Sequence, residues 1–129
     1  MSHIVAIKTQ FRDLALLKQA FAAYGWSIKQ DSVIRTYSSA ESKVVYKNIA
    51  VNPAGKYDIG IKEEDGVYDL DVDFYDTSIS KQLGDNFGQL AKLKKKYTQM
   101  LIEQEYEEQG YTTQTTMLPN GAIKVSILN

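Results

Sequence analysis

An α+β fold with one mostly antiparallel sheet of about seven strands and two helices on one face is what the sequence predicts. Three observations carry that reading. Seven short stretches are β-favouring or alternate apolar with polar side chains, the mark of strands. Two longer stretches repeat apolar residues at helical spacing. Tight turn signals such as Asp65-Gly66 and Asn120-Gly121 join neighbouring strands. With 129 residues, 43% of them hydrophobic, the chain fits a single domain spanning 1–129 with a core of its own.

The elements come in this order. Ile4–Lys8 reads as a strand. Asp13 is a suitable N-cap, and Leu14, Leu17, Phe21 and Tyr24 then recur on one helical face. Gly25 closes that helix, where a left-handed backbone costs glycine little. Trp26–Tyr37 and Lys43–Val51 read as strands around a loop at 38–42. Tyr57–Lys62 and Val67–Tyr75 form a hairpin about Glu63-Glu64-Asp65-Gly66. Asn86 opens a second helix, with Gln89 three residues on resembling a capping box. Leu90, Leu93, Tyr97, Met100 and Leu101 keep its spacing to Gly110. Tyr111–Met117 and Ala122–Leu128 make the final hairpin.

A weak repeat runs through this order. Leu16, Leu17, Phe21 and Trp26 stand around Gly25 as Leu101, Ile102, Tyr106 and Tyr111 stand around Gly110. A β-α-β-β duplication, relating the fold to the ferredoxin-like class, explains it. So does any amphipathic helix that ends in glycine.

Composition excludes several function classes. Zero cysteines remove disulfides, thiolate zinc sites and cysteine nucleophiles. One histidine rules out a multi-histidine metal centre within one chain. No apolar run nears the ~20 residues of a membrane span. No signal-peptide pattern opens the chain, so a cytoplasmic protein without a membrane partner is expected. The formal charge of −1 argues against nucleic acid held by bulk charge. That net value hides +3 over residues 1–40, −5 over 41–76 and +1 over 77–129. The acidic middle segment would suit a basic partner and repel nucleic acid.

Two constellations carry candidate chemistry. Asp69, Asp71 and Asp73 alternate with Leu70, Val72 and Phe74, so the carboxylates share one face of a strand. Neighbours lie roughly 7 Å apart. They would serve a small metal-assisted enzyme using Mg²⁺ or Mn²⁺, or form a solvated face paired with lysines across the strands. Lys92, Lys94, Lys95 and Lys96 begin the second helix, and Glu103–Glu108 end it, against the helix dipole. Those lysines would serve a phosphate or single-stranded nucleic-acid site, or simply face solvent. No catalytic or nucleotide-binding motif is present, and no cofactor or metal is implied. Nine tyrosines, among them Tyr37, Tyr46, Tyr57, Tyr68 and Tyr75, would suit half-buried strands or a protein interface.

Short motifs along the chain point to a family. They are Met1-Ser2-His3, Ile7-Lys8-Thr9, Asp13-Leu14 with Leu17, Val33-Ile34-Arg35-Thr36-Tyr37 and Tyr57-Asp58-Ile59-Gly60. Gly66-Val67-Tyr68, Asp73-Phe74, Tyr97, Gln109-Gly110-Tyr111 and Asn120-Gly121 continue the match. With these the chain resembles the uncharacterised conserved reading-frame family of red-algal plastid genomes and cyanobacteria. That family is a domain of unknown function, so the resemblance implies an origin and no activity. It singles out His3, Lys8, Arg35, Tyr37, Asp58 and Asp73 as polar residues on matching motifs and candidates for a binding surface. Arg35 pairing with Asp73 and Asp58 fixing a turn are the structural roles open to them. A non-enzymatic protein-binding or adaptor module is the preferred reading, with a protein partner. A homo-oligomer formed through an open sheet edge is a further expectation, because an uncovered edge offers unpaired backbone groups.

Overall fold

The computed structural model describes residues 4–7, 11–36 and 44–128. The elements run β1 (Val5–Ile7), α1 (Leu14–Ala22), β2 (Ser27–Val33), β3 (Val45–Val51), β4 (Ile59–Glu64), β5 (Val67–Val72), α2 (Thr77–Leu83), α3 (Ala91–Glu108), β6 (Thr112–Met117) and β7 (Ile123–Leu128). The α+β class holds, but the seven strands do not share one sheet. Five form an antiparallel sheet in the order β1-β5-β4-β3-β2, and β6 pairs with β7 as a separate ribbon. Composition supplies a reason. In β6 the run Thr112–Thr116 has no large apolar side chain and so brings little to a sheet core. The ribbon packs on α3 instead.

The helix boundaries also differ from expectation. Residues 77–83, expected as loop, form α2, with Asp76 as its N-cap. The second long helix starts at Ala91, five residues after Asn86. Gln89 and Leu90 take φ of 51° and 59°, a left-handed step that no α-helix can include. Burial of Leu90, which has no exposed surface, accompanies that step. The Asn86–Gln89 capping box is therefore absent; the Gly88 amide donates to Asp85 Oδ1 at 2.8 Å instead.

One face of the five-stranded sheet carries the main core. Ile7, Ala50, Ile59, Ile61, Leu70 and Val72 meet Leu16, Leu17, Ala20 and Phe21 of α1, Ile79 and Leu83 of α2, and Leu93 and Tyr97 of α3. All three helices thus contribute to a single cluster. Asp13 caps α1 as expected, accepting from the Leu16 amide at 3.0 Å. The Tyr97 hydroxyl accepts from the amides of Arg12 and Asp13 at 3.2 and 3.1 Å, tying α3 to the entry of α1.

The other face holds a smaller cluster of Ile34, Tyr46 and Ile49. Strict alternation would put Tyr46 with Ala50 on the helix side. The β2–β3 ladder skips the Asp31–Lys47 pair, and Asp31 takes a φ of 51°. Tyr46 packs with Ile34 and Ile49 on the second face. Its ring lies so close to Gly60 that a Cβ there would come within 2.3 Å. The chain leaving β2 passes over that face, which brings Arg35 to the start of β4 and Thr36 to the end of β5.

Candidate functional site

Three of the six expected site residues lie at this end of the sheet: Arg35 and Asp58 pair with each other, and Asp73 stands apart with other partners. The Arg35 guanidinium grips Asp58, with Nη2 to Oδ1 at 2.7 Å and Nε to Oδ2 at 3.0 Å. The Arg35 amide donates to the same carboxylate at 2.9 Å, and the Asn52 amide adds a further bond at 3.0 Å. The Asp58 amide in turn donates to the Arg35 carbonyl at 3.0 Å. Asp58 is 2% exposed, so each of these donors replaces water that the fold removed. Hydrogen bonding to Asp58 raises the Arg35 pKa above its ordinary value and keeps the guanidinium charged. Asp58 fixes the 52–58 turn, one of the two roles open to it.

The expected Arg35–Asp73 pair is not formed. Asp73, 1% exposed, accepts from the Thr36 hydroxyl at 3.3 Å and from the Tyr75 amide at 3.0 Å. Arg35 lies on the Asp58 side because its own backbone bonds there, one residue before Thr36 reaches Asp73. His3, Lys8 and Tyr37 lie outside the described residues.

The aspartate strand has its expected two faces. Leu70 and Val72 enter the helix-side core, while Asp71 points to the second face. Asp71 is not solvated. It is 4% exposed, and one oxygen accepts from the Tyr46 hydroxyl at 2.7 Å and from Lys62 Nζ at 2.8 Å. The lysine reaches it diagonally, since Lys62 stands opposite Asp69 in the ladder. The ammonium thus occupies the side of the carboxylate a cation would take. Among the described residues, no group of three or more His, Cys, Asp or Glu is arranged to hold a metal ion.

Next to Asp58 lies a polar web that sequence reasoning missed. Asn52 is its hub: Nδ2 donates to Ser78 Oγ at 2.9 Å, and Oδ1 accepts from Gln82 Nε2 at 2.9 Å. Gln82 Oε1 accepts from the buried Trp26 indole at 3.0 Å. Asp76 accepts from the amides of Lys56 and Tyr57 at 2.7 and 2.9 Å and from that of Ser78 at 3.0 Å. Burial alone would raise the Asp76 pKa, but hydrogen bonds from Ser78, Tyr57 and Lys56 outweigh it and hold the group below its ordinary value. The readable signal was Asp76 two residues before Ser78, an N-cap pattern ahead of a helix too short to show a stripe. Tyr57 and Tyr75 stack beside this web, centroids 6.5 Å apart, and Tyr75 is 66% exposed. Of the tyrosines expected at an interface, Tyr46 is buried, Tyr57 and Tyr68 are half-buried, and Tyr75 is open to solvent.

The basic run on α3 is spread over local acceptors. Lys92 donates to the Lys81 carbonyl at 3.2 Å, Lys94 to Gln89 at 3.1 Å and Lys96 to Gln99 at 3.4 Å; Lys95 reaches the Gly121 carbonyl. Between α3 and β7 a groove of about 490 Å³ remains open, with Ile102, Tyr106, Ile123 and Val125 among its walls.

Fold and site together define a small α+β protein whose described candidate residues serve mainly to lock the turns at one end of its sheet. The chain is 30% identical to the uncharacterized protein ycf35 of Guillardia theta over 132 residues, covering 98% of this chain and 96% of that protein. It belongs to the ycf35 family, which bears out the resemblance to a plastid conserved reading frame. No family model and no solved structure matches the chain. Among the described residues, no helix is long and apolar enough to cross a membrane.

Proposed function

We propose that this protein is a non-enzymatic binding module that recognises another protein. One contrast supports the reading. The described polar residues picked out as a site are engaged inside the fold, whereas large apolar side chains stay exposed near the C-terminus. Met117 is 71% exposed, Leu128 45%, Ile127 41% and Tyr111 40%. These four lie on or beside the β6–β7 ribbon, and exposed apolar groups gathered in one region mark interaction surfaces more often than single ones such as Phe87 do. The acidic tip Glu63-Glu64-Asp65 is exposed and would repel phosphates, so a protein partner fits better than nucleic acid.

Affinity purification of the tagged chain from its native cells, under gentle conditions, tests the reading. A partner recovered at a fixed ratio to the chain is the expected result. Recovery of the bare chain would overturn it.

A further inference from the structure

We infer that β7 accepts a third strand: an extended segment of a partner protein with alternating apolar residues and acidic groups at one end. The inference rests on the binding-module reading and names the surface and the chemistry of its partner.

Three observations converge on the groove between β7 and α3. First, β7 is paired on one side only. Its sheet has two strands, so among the described residues the second edge leaves backbone donors and acceptors without a strand partner. Such an edge is a template for strand addition. Second, the groove beside that edge has an apolar interior made by Ile102 and Tyr106 of α3 and Ile123 and Val125 of β7. These residues are half-buried, so they are neither core nor free surface. Ile123 and Val125 are two apart on β7 and face the same way. A strand laid beside them would direct every second side chain into the groove. Third, Lys94 and Lys95 line the same groove, and none of its lining side chains is a carboxylate. Their described hydrogen-bond partners are neutral, a Gln89 amide oxygen and the Gly121 carbonyl.

Charge selects the occupant. A second copy of this chain would bring its own β7, which carries Lys124 and no acid. Two lysine-bearing grooves would then face each other without a counter-charge. A partner strand with carboxylates at one end meets Lys94 and Lys95 and fills the apolar wall with its remaining length.

The test uses two blocked nonapeptides with valine at alternate positions and threonine between. One ends in two glutamates, the other in two lysines. Amide NMR of the unmodified protein should show shifts along Ile123–Leu128 with the glutamate peptide, and slowed exchange of β7 amides. The lysine peptide should bind about tenfold more weakly, a difference of ~1.4 kcal/mol. Combining Lys94→Glu with Lys95→Glu should reverse the preference. Shifts centred on Glu63–Asp65, equal binding of both peptides, or no binding would overturn the inference. So would slowed β7 exchange that appears without peptide as protein concentration rises, because that marks self-pairing. A native partner captured equally by wild type and the double variant would sink the groove but leave the binding-module reading standing.

Discussion

At the end of α1 the Trp26 amide donates to the Phe21 carbonyl at 3.1 Å, and at the end of α3 the Tyr111 amide donates to Tyr106 at the same distance. Both helices stop on a left-handed glycine, Gly25 at φ 83° and Gly110 at φ 89°. Both caps carry an aromatic contact, Phe21–Trp26 at 5.7 Å and Tyr106–Tyr111 at 6.1 Å. This is one hydrogen-bonded cap, with the hydrophobic contact that commonly accompanies it, built twice. Beyond the caps the two regions diverge. Trp26 is 2% exposed and its chain enters the five-stranded sheet; Tyr111 is 40% exposed and its chain forms the lone ribbon. The same local code therefore leads into the edge strand of the five-stranded sheet in one place and into the separate ribbon in the other. Neighbouring apolar content decides between them: α1 buries four side chains in nine residues, α3 two in eighteen.

Breaking the two aromatic caps should give the widest separation. Trp26→Ala is expected to lower stability by about 3–5 kcal/mol, the usual cost of deleting a buried aromatic. It also leaves Gln82 Oε1 without its indole donor. Tyr111→Ala should cost less, about 1 kcal/mol, since much of that residue stays in contact with water. Urea unfolding monitored by circular dichroism measures both. Equal losses would mean that the ribbon is as much a part of the cooperative core as the sheet.

The turn clamp near the first cap comes next. Asp58→Ala should cost about 2–3 kcal/mol, because it strands a guanidinium and the amides of Arg35 and Asn52 together. Arg35→Ala should cost less, as its side chain is half exposed and Asp58 keeps the two amides. If the arginine variant proved the worse of the two, the clamp would be held by charge rather than by the backbone donors.

Gly60→Ala probes the second face. The added Cβ would lie 2.3 Å from the Tyr46 ring and force it away from Asp71. A loss of about 1–3 kcal/mol is expected. In native-state hydrogen exchange this loss should reach β3, β4 and β5 and leave β6 and β7 untouched. Spread of the effect into the ribbon would erase the contrast between the regions.

The smallest effect concerns pH. Asp76 has a folded pKa below its unfolded value, so its contribution is complete above the unfolded value of about 4. It is lost as pH falls through the folded value. Asp76→Asn should therefore destabilise near neutrality and flatten the acid limb of the stability curve below about pH 4. An acid limb unchanged by the substitution would remove Asp76 from the clamp.

Much of the fold was readable because local rules sufficed. The Asp65-Gly66 turn appears with both residues at positive φ, 52° and 78°, and the final hairpin forms where expected, with Met117 opposite Ile123. The site was less readable. A pairing of Arg35 with Asp73 across the strands expected at 26–37 and 67–75 was one role open to them. Yet the Arg35 backbone docks on Asp58, and 23 residues of separation hide that from any periodicity. Asn52, the hub of the polar web, read only as a turn residue, since its partners Ser78 and Gln82 lie on a helix of seven residues.

The sequence by itself determined the α+β class, the two faces of the aspartate strand, the glycine caps and the short turns. Each depends on residues within a few positions of one another, where backbone geometry leaves few choices. Tertiary structure alone decided that the seven strands divide five and two. It also decided that Asp71 is buried under Tyr46 and Lys62, and that, among the described residues, β7 keeps an open edge beside α3. Those outcomes turn on which apolar faces find cover, and burial is a property of the whole chain rather than of any segment.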